Sequence, residues 1–349
     1  ASVNNPIDVL ATGPAAHYRA CLDAMMADDN FDSVYVNFVT PFFVDNESIA
    51  REIVEVSNQQ IKPIVCNLMT DRRQWTEVVR ILQDGGVPCF ALPGEAARAL
   101  TAMVRYNEIR NRQVGGVQAF NDVDKAAAAK IMEAAKTAGK ASLSAEEVYS
   151  ILEAYKIPVA NWRMATSADE AEKAAEDIGY PVVIKADSES IVHKSDMGGV
   201  VVDLADGAAV KAAVEKMQKS FSAGDLRFFI QKFLPGGLEL IMGAKAEEGL
   251  GHAVMFGLGG IYVEIMKDVV FNLTPVSSGE AEEMLASIKG AALLEGVRGQ
   301  KGVDQAKLVE IIQRLSQLLT DLPAIQEMDL NPLMAFEDQV FVVDARISL

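Results

Sequence analysis

Over the first third of the chain, short apolar runs alternate with stretches of helical period. Residues 33–39 (SVYVNFV), 63–68 (PIVCNL) and 87–91 (VPCFA) read as short buried strands, and the patterns at 15–26, 47–59 and 74–85 read as helices. Gly85 and Gly86 close the last of these helices, and Pro93 and Gly94 open another over 95–110. This alternation predicts a parallel, flavodoxin-like α/β layer with ligand-facing loops at the carboxyl ends of its strands. One such loop, 40–46, ends in Asp45 and Asn46, either of which can cap the next helix. Its amino terminus would suit an anion, and a plainly capped helix fits the pattern as well.

After Gly115 and Gly116 an alanine- and lysine-rich run, 124–140, has the character of a linking helix, so the chain is divided at 1–115, 116–143 and 144–349. The third segment opens on Ser144 and Glu147, spaced as a capping box for a helix reaching Tyr155. Strands are expected to begin at 157–159 and to lie over 181–185, 200–204, 228–233, 238–244, 252–258 and 261–266, with helices over 166–179 and 205–220. Helices at 279–294 and 304–320 then precede two closing strands, 325–335 and 339–346, in a mixed α/β arrangement without internal repeats.

The stretch 179–202 (GYPVVIKADSESIVHKSDMGGVVV) joins two apolar runs through a histidine loop. Lys185 ends the first run, where a cation can project from a rigid strand toward a phosphate or simply snorkel to solvent. His193 follows in HKSDMGG. An imidazole with a pKa near ~6.5 is largely neutral at pH 7 and can accept a phosphoryl group, Lys194 brings positive charge, and Gly198 and Gly199 let the loop bend. A capped surface loop explains the same residues. His17 lies in a helical pattern and His252 starts a strand, so core or surface roles suit both.

The closing strands hold a second constellation. If they form a hairpin around Glu337 and Asp338, directly paired residues have numbers summing to 675, which sets Asn331 opposite Asp344 and leaves Asp329 on the same face. An aspartate after four apolar residues calls for a partner or a cation, and Mg²⁺ takes such oxygen ligands together with substrate phosphates. An ion pair of Asp344 with Arg346 or with a lysine is the competing expectation, and Glu-Asp is a weak turn pair, so the register could shift by one. Glu239 and Glu264, inside apolar strands, could touch a nucleotide or metal or face solvent. The glycine turn 257–260 leads into a strand pattern rather than a helix, which is not the context of a dinucleotide fingerprint.

Composition narrows the function class. The chain has 349 residues, half of them hydrophobic, and 49 acidic against 32 basic residues give a net charge of −17. That length allows two or three domains, and that charge argues against nucleic acid or an anionic membrane as the main partner. Cys21, Cys66 and Cys89 are widely spaced and form no CxxC pair, which suits buried thiols in a reducing cytoplasm. The longest apolar region, 250–266, is broken by His252, several glycines and Glu264, so no transmembrane helix is expected, nor is a signal peptide. The ASVNNP start suggests a piece of something longer.

Several segments taken together resemble one family: YKIPV at 155, GYPVVIK at 179, HKSDMGGV at 193, FGLGGI at 256, Arg298 with Gly299, EMDLNPL at 327 and VDAR at 343. On these, residues 144–349 resemble the ATP-grasp region of NDP-forming acyl-CoA synthetases, the ADP-forming acetyl-CoA synthetase family. Residues 4 to about 112, from NPID onward, are similar to the ligase subdomain that precedes ATP-grasp in single-chain members. The resemblance implies a flavodoxin-like CoA-ligase subdomain followed by a two-lobed ATP-grasp domain. It further implies a reversible relay in which acyl-CoA and phosphate give an acyl phosphate, a histidine takes the phosphoryl group, and ADP becomes ATP.

In that relay His193 matches the second, mobile carrier and Lys185 the phosphate-binding lysine. Glu239, Gly259 and Gly260 fall among the nucleotide-binding positions, and Asn331 and Asp344 match the Mg²⁺ ligands. The helix after 40–46 matches one whose amino terminus holds the phosphohistidine. Asn272 stands where many relatives carry arginine. The CoA-binding domain and the domain with the first phosphohistidine are expected on the same longer chain or a separate subunit, in an oligomer that takes a small acyl-CoA or carboxylate. A nucleotide-sensing subunit without turnover, or another ATP-grasp carboxylate ligase, is the alternative.

Overall fold

The computed structural model describes residues 2–71, 76–112, 115–188, 198–221, 224–260, 268–297 and 301–349. His193, Lys194, Glu264, Arg298 and the strand expected at 261–266 lie outside the described residues. The chain divides into two compact units, Ala1–Arg112 and Gln113–Leu349.

In the first unit, β1 (Val34–Val39), β2 (Ile64–Met69) and β3 (Cys89–Phe90) alternate with α1 (Ala15–Ala27), α2 (Asn46–Ser57), α3 (Thr76–Asp84) and α4 (Pro93–Asn111). The strands are parallel and lie in the order β1-β2-β3, from Val34 opposite Ile64 to Val39 opposite Met69. The order follows the sequence, so among the described residues the sheet lacks the reversal that forms the binding crevice of a doubly wound layer. Only β2 is buried on both faces. In β1, Val34, Val36 and Phe38 enter the core with Ile49, Ile53 and Leu82, while Tyr35, Asn37 and Val39 face outward, so this run is a half-buried strand rather than a buried one. Of the two cap candidates for α2 it is Asp45 that caps, accepting from Ser48 N at 3.0 Å, whereas Asn46 is buried and donates its amide to Pro41 O at 2.8 Å.

The second unit is built on two sheets. The smaller is antiparallel, β4 (Trp162–Ala165), β7 (Arg227–Lys232), β5 (Val182–Asp187) and β6 (Val200–Leu204) in that spatial order, covered by α7 (Ala168–Ile178) and α8 (Gly207–Ser220). The larger runs β10 (Val269–Leu273), β9 (Gly251–Leu258), β8 (Leu238–Glu247), β11 (Glu327–Ala335) and β12 (Val340–Val342), with β13 (Ala345–Ser348) also on β11. Its core joins α5 (Lys125–Thr137), α6 (Ala145–Ala154), α9 (Ser278–Ser287) and α11 (Gln305–Asp321). The alanine-rich run is thus more than a connector, because Ala128, Met132 and Ala135 of α5 sit in that core.

Three differences from the sequence pattern have local causes. Residues 157–159 form no strand, since Pro158 has no N–H to give and Val159 makes only an isolated parallel bridge to Val342. The helix expected over 279–294 is interrupted after Ser287 and resumes as α10 (Ala291–Glu295). Buried Asp268 accepts there from Lys289 N at 2.6 Å and Gly290 N at 2.8 Å, offering the backbone a competing partner. The edge strand β10 was not foreseen. Among the described residues, no helix is long and apolar enough to cross a membrane.

Candidate nucleotide site

The hairpin register is the one that sets Asn331 opposite Asp344. Leu333 pairs with Val342 and Leu330 with Ala345, Asn331 N donates to Asp344 O at 3.0 Å, and Val343 N donates to Pro332 O at 3.0 Å. The tip at Glu337 and Asp338 is closed by Phe336 N donating to Gln339 O at 2.7 Å. Against β8, however, β11 carries one extra residue: Leu330 faces Met242 and Leu333 faces Leu240, so Asn331 and Pro332 together face Ile241. A proline cannot donate to the ladder, and a bulge accommodates it. The partner strand is interrupted at the same level, with Val343 and Asp344 between β12 and β13. Met328, Leu330 and Leu333 stay in the core, while Asn331 is exposed and Asp344 partly so.

Lys185 reaches this break from the smaller sheet. It is the one position of β5 that is not buried, and its Nζ donates to Asp344 Oδ1 at 2.8 Å and to Val343 O at 2.7 Å. The ion pair expected as the competitor of a metal role is therefore present with a lysine, and Arg346 Nε stands farther off, at 4.0 Å from Asp344 Oδ2. Asp329, opposite Arg346, lies on the same face. Burial pushes its carboxyl above the ordinary range; the Arg346 charge opposes the shift, and Asp344 and Glu327 add to it.

Glu239, Gly259 and Gly260 meet at the end of the same sheet. Gly259 N donates to Glu239 O at 2.8 Å, and a Cβ at Gly259 would come within 3.1 Å of the Glu239 and Leu240 backbone. Gly260 has φ +59°, and a Cβ there would lie 2.7 Å from Glu239 Oε2. Glu239 pairs with Met334, three residues beyond Asn331 along β11. The structure thus groups Lys185, Asn331 and Asp344, and separately groups Glu239, Gly259 and Gly260. Asn272 lies on edge strand β10 opposite Val254, its Oδ1 accepting from Leu273 N at 2.9 Å.

Sequence reasoning missed the support beneath the lysine. Tyr149 of α6 donates its hydroxyl to Val343 O at 2.7 Å and accepts from Gln231 Nε2 at 3.0 Å, both residues being buried. Phe229 packs 4.7 Å from the Tyr149 ring and stacks on Trp162 at 5.3 Å, with Lys185 Nζ 5.9 Å from the Phe229 ring centre. Arg227 ties the end of β5 through Asp187, at 2.9 Å, to Glu146 of α6, at 2.8 Å. These contacts join residues far apart in sequence and leave no local pattern. The bulge had a signal in Pro332, a proline inside a strand.

Among the described residues, no group of three or more His, Cys, Asp or Glu is arranged to hold a metal ion. Asn331 and Asp344 supply two oxygen-bearing side chains at a strand break beside the Lys185 ammonium. That set fits Mg²⁺, which takes one or two protein ligands and draws the rest from phosphates and water.

The profile of the ATP-grasp domain matches residues 134–349. The chain belongs to the ATP-grasp family. Along its whole length it is 39% identical to the ADP-forming 4-hydroxybutyrate–CoA ligase of Nitrosopumilus maritimus, covering 51% of that protein. The chain spans about half the length of the curated relatives it matches from end to end. Over 64% of its length it is 40% identical to the β subunit of ADP-forming acetate–CoA ligase I of Pyrococcus furiosus, covering 98% of it. One solved structure is similar over 64% of this chain and 99% of its own, with 38% identity and a TM-score of 0.58. It is acetyl-coenzyme A synthetase 1 of Ca. Korarchaeum cryptofilum with coenzyme A and Mg-AMPPCP, its phosphohistidine segment pointing towards the nucleotide binding site. By these likenesses this ATP-grasp chain is a relative of the ADP-forming acyl-CoA ligases.

Proposed function

We propose that the chain is the nucleotide-binding and phosphoryl-transfer portion of an ADP-forming acyl-CoA ligase, an acid–thiol ligase that interconverts acyl-CoA, ADP and phosphate with the free acid, CoA and ATP. The observation that carries this reading is Lys185, which leaves one sheet of an ATP-grasp unit to meet Val343 and Asp344 at the broken strand of the other. A cation held there by two oxygens can exchange them for phosphate oxygens. In this reading Lys185 binds phosphate, Glu239, Gly259 and Gly260 border the nucleotide, and Asn331 and Asp344 hold Mg²⁺. When bound, the ion offsets phosphate charge and fixes the phosphate oxygens.

His193 is the carrier. Its neutral imidazole attacks the terminal phosphorus of ATP, an N–P bond forms as the bond to the bridging oxygen breaks, and ADP leaves with the electron pair. The reverse step makes ATP from phosphohistidine. The phosphoryl group comes from or goes to a domain holding the acyl-CoA and the first phosphohistidine, on a longer chain or a separate subunit. Both arrangements have support, since the N. maritimus ligase is about twice this length and the P. furiosus β subunit is a separate chain. The assembly is an oligomer in the cytoplasm, consistent with the absence of disulfides among the described residues; buried Cys66 has its thiol pushed up by burial and by Cys89.

The test is incubation with γ-labelled ATP and Mg²⁺, alone and with the complementary domains. Acid-labile, base-stable label on the wild-type chain, absent from His193→Ala, is the expected result. Nucleotide binding without label on the intact assembly would overturn the relay and favour a nucleotide-sensing role.

A further inference from the structure

The Val343 carbonyl accepts two hydrogen bonds, from Tyr149 Oη at 2.7 Å and from Lys185 Nζ at 2.7 Å. The two donors differ in freedom. Tyr149 is 1% exposed, packed against the stacked pair of Phe229 and Trp162, and its oxygen is held in turn by Gln231 Nε2 at 3.0 Å. Lys185 is a long side chain at the open face, 18% exposed, and also paired with Asp344. Val343 is half-buried, and a carbonyl partly shielded from water that loses its only protein donor carries part of the desolvation cost, whereas one that keeps a second donor does not.

We infer that Tyr149 is a positioning residue that keeps the Val343 carbonyl satisfied when Lys185 leaves it, so that the lysine is free to move onto a nucleotide phosphate while the strand break carrying Asp344 stays in place. The inference rests on the assignment of Lys185 to phosphate. Burial first, and then the Asp344 charge, push the Tyr149 phenol above its ordinary value, so the hydroxyl remains a donor whatever Lys185 does. The Gln231 amide fixes which way that proton points, because the Tyr149 oxygen accepts from Gln231 and its hydrogen is left for Val343 O. Without the phenol hydroxyl, every move of Lys185 to phosphate leaves a partly buried carbonyl without a donor, and the penalty falls on phosphate binding rather than on the base or ribose.

The test is calorimetric titration of the full chain with Mg·ADP and, separately, with adenosine. Tyr149→Phe is expected to weaken Mg·ADP by about fivefold, the low end for leaving one acceptor unpaired because Val343 is only half-buried, and to leave adenosine affinity unchanged. In a Lys185→Met background, where no lysine leaves the carbonyl, Tyr149→Phe is expected to have no further effect on Mg·ADP. Gln231→Met, which keeps the bulk and removes the donor that orients the hydroxyl, should shift Mg·ADP the same way by a smaller factor, and covers the case in which Tyr149→Phe fails to fold. Equal losses for Mg·ADP and adenosine, or additive effects of Tyr149→Phe and Lys185→Met, would overturn the inference. A wild-type chain that binds neither ligand would instead overturn the functional assignment on which it rests.

Discussion

At the scale of single residues, the open face of the larger sheet gathers acidic side chains that its own neighbours do not fully neutralise. Asp329 shows this best. Its carboxyl is pushed up mainly by burial and further by Asp344 and Glu327, against the opposing Arg346 charge. A folded-state pKa above the unfolded value means that the native chain holds this proton more tightly than the unfolded chain does. Stability from this group is therefore fullest in acid and is lost as pH rises from the ordinary carboxylate range through the raised value. Asp329→Asn should accordingly be more stable than wild type at about pH 7 and lose that advantage near about pH 3, where both chains are neutral at this position. Urea midpoints at the two pH values check it. An advantage unchanged by pH would mean that shape, not charge, sets the cost.

At the scale of elements, α6 carries the tyrosine beneath the site, and its start is legible in the sequence. Ser144 and Glu147 form the capping box that their spacing implies, with Glu147 Oε2 accepting from Ser144 N at 2.8 Å and Lys140 Nζ donating to the same carboxylate at 3.0 Å. Burial alone would raise the Glu147 carboxyl, but the bonds from Ser144 and Lys140 outweigh it and hold it low. Its stabilisation is therefore present above the ordinary carboxylate range and disappears as pH falls through the lowered value. Ser144→Ala should cost about 1 kcal/mol at neutral pH, as N-cap removals do. Glu147→Gln should flatten part of the acid-side fall in stability. Denaturant curves across pH separate the two.

The same element scale shows what sequence could and could not supply. The hairpin register followed from two strands and a two-residue tip, because pairing across a tight turn is arithmetic. The bulge at Asn331 and Pro332 depends on β8, which lies some ninety residues earlier in the chain, and pairing alone with β12 and β13 does not reveal it. Likewise Lys185 reads from the sequence as a strand-end cation, whereas β5 runs on to Asp187 and the lysine lands on Val343 and Asp344, between two strands of another sheet. β10 went unread although VVFNL at 269–273 carries the same kind of apolar run as IVCNL at 64–68; it is an edge strand with Phe271 and Leu273 exposed.

At the scale of the whole molecule, the chain holds separate cores. The first unit has its own cluster around Phe38, Ile49, Ile53 and Leu82, and both clusters of the second unit draw only on residues beyond 112. Every residue assigned to the nucleotide and the ion lies in the second unit, the unit that contains the ATP-grasp match. Separate cores predict separate unfolding transitions, and a ligand that binds one folded unit stabilises that unit alone. At a free Mg·ADP concentration of about 100 times its Kd the second unit should gain roughly 2.7 kcal/mol. For a unit of this size that raises its midpoint by roughly 5–10 °C. Calorimetric scans with and without Mg·ADP should therefore move one transition and leave the other in place. In Lys185→Met the movement should shrink while both ligand-free midpoints stay nearly unchanged, because a partly exposed ion pair contributes under about 1 kcal/mol. A single transition that moves as a whole with Mg·ADP would show instead that the two units unfold together.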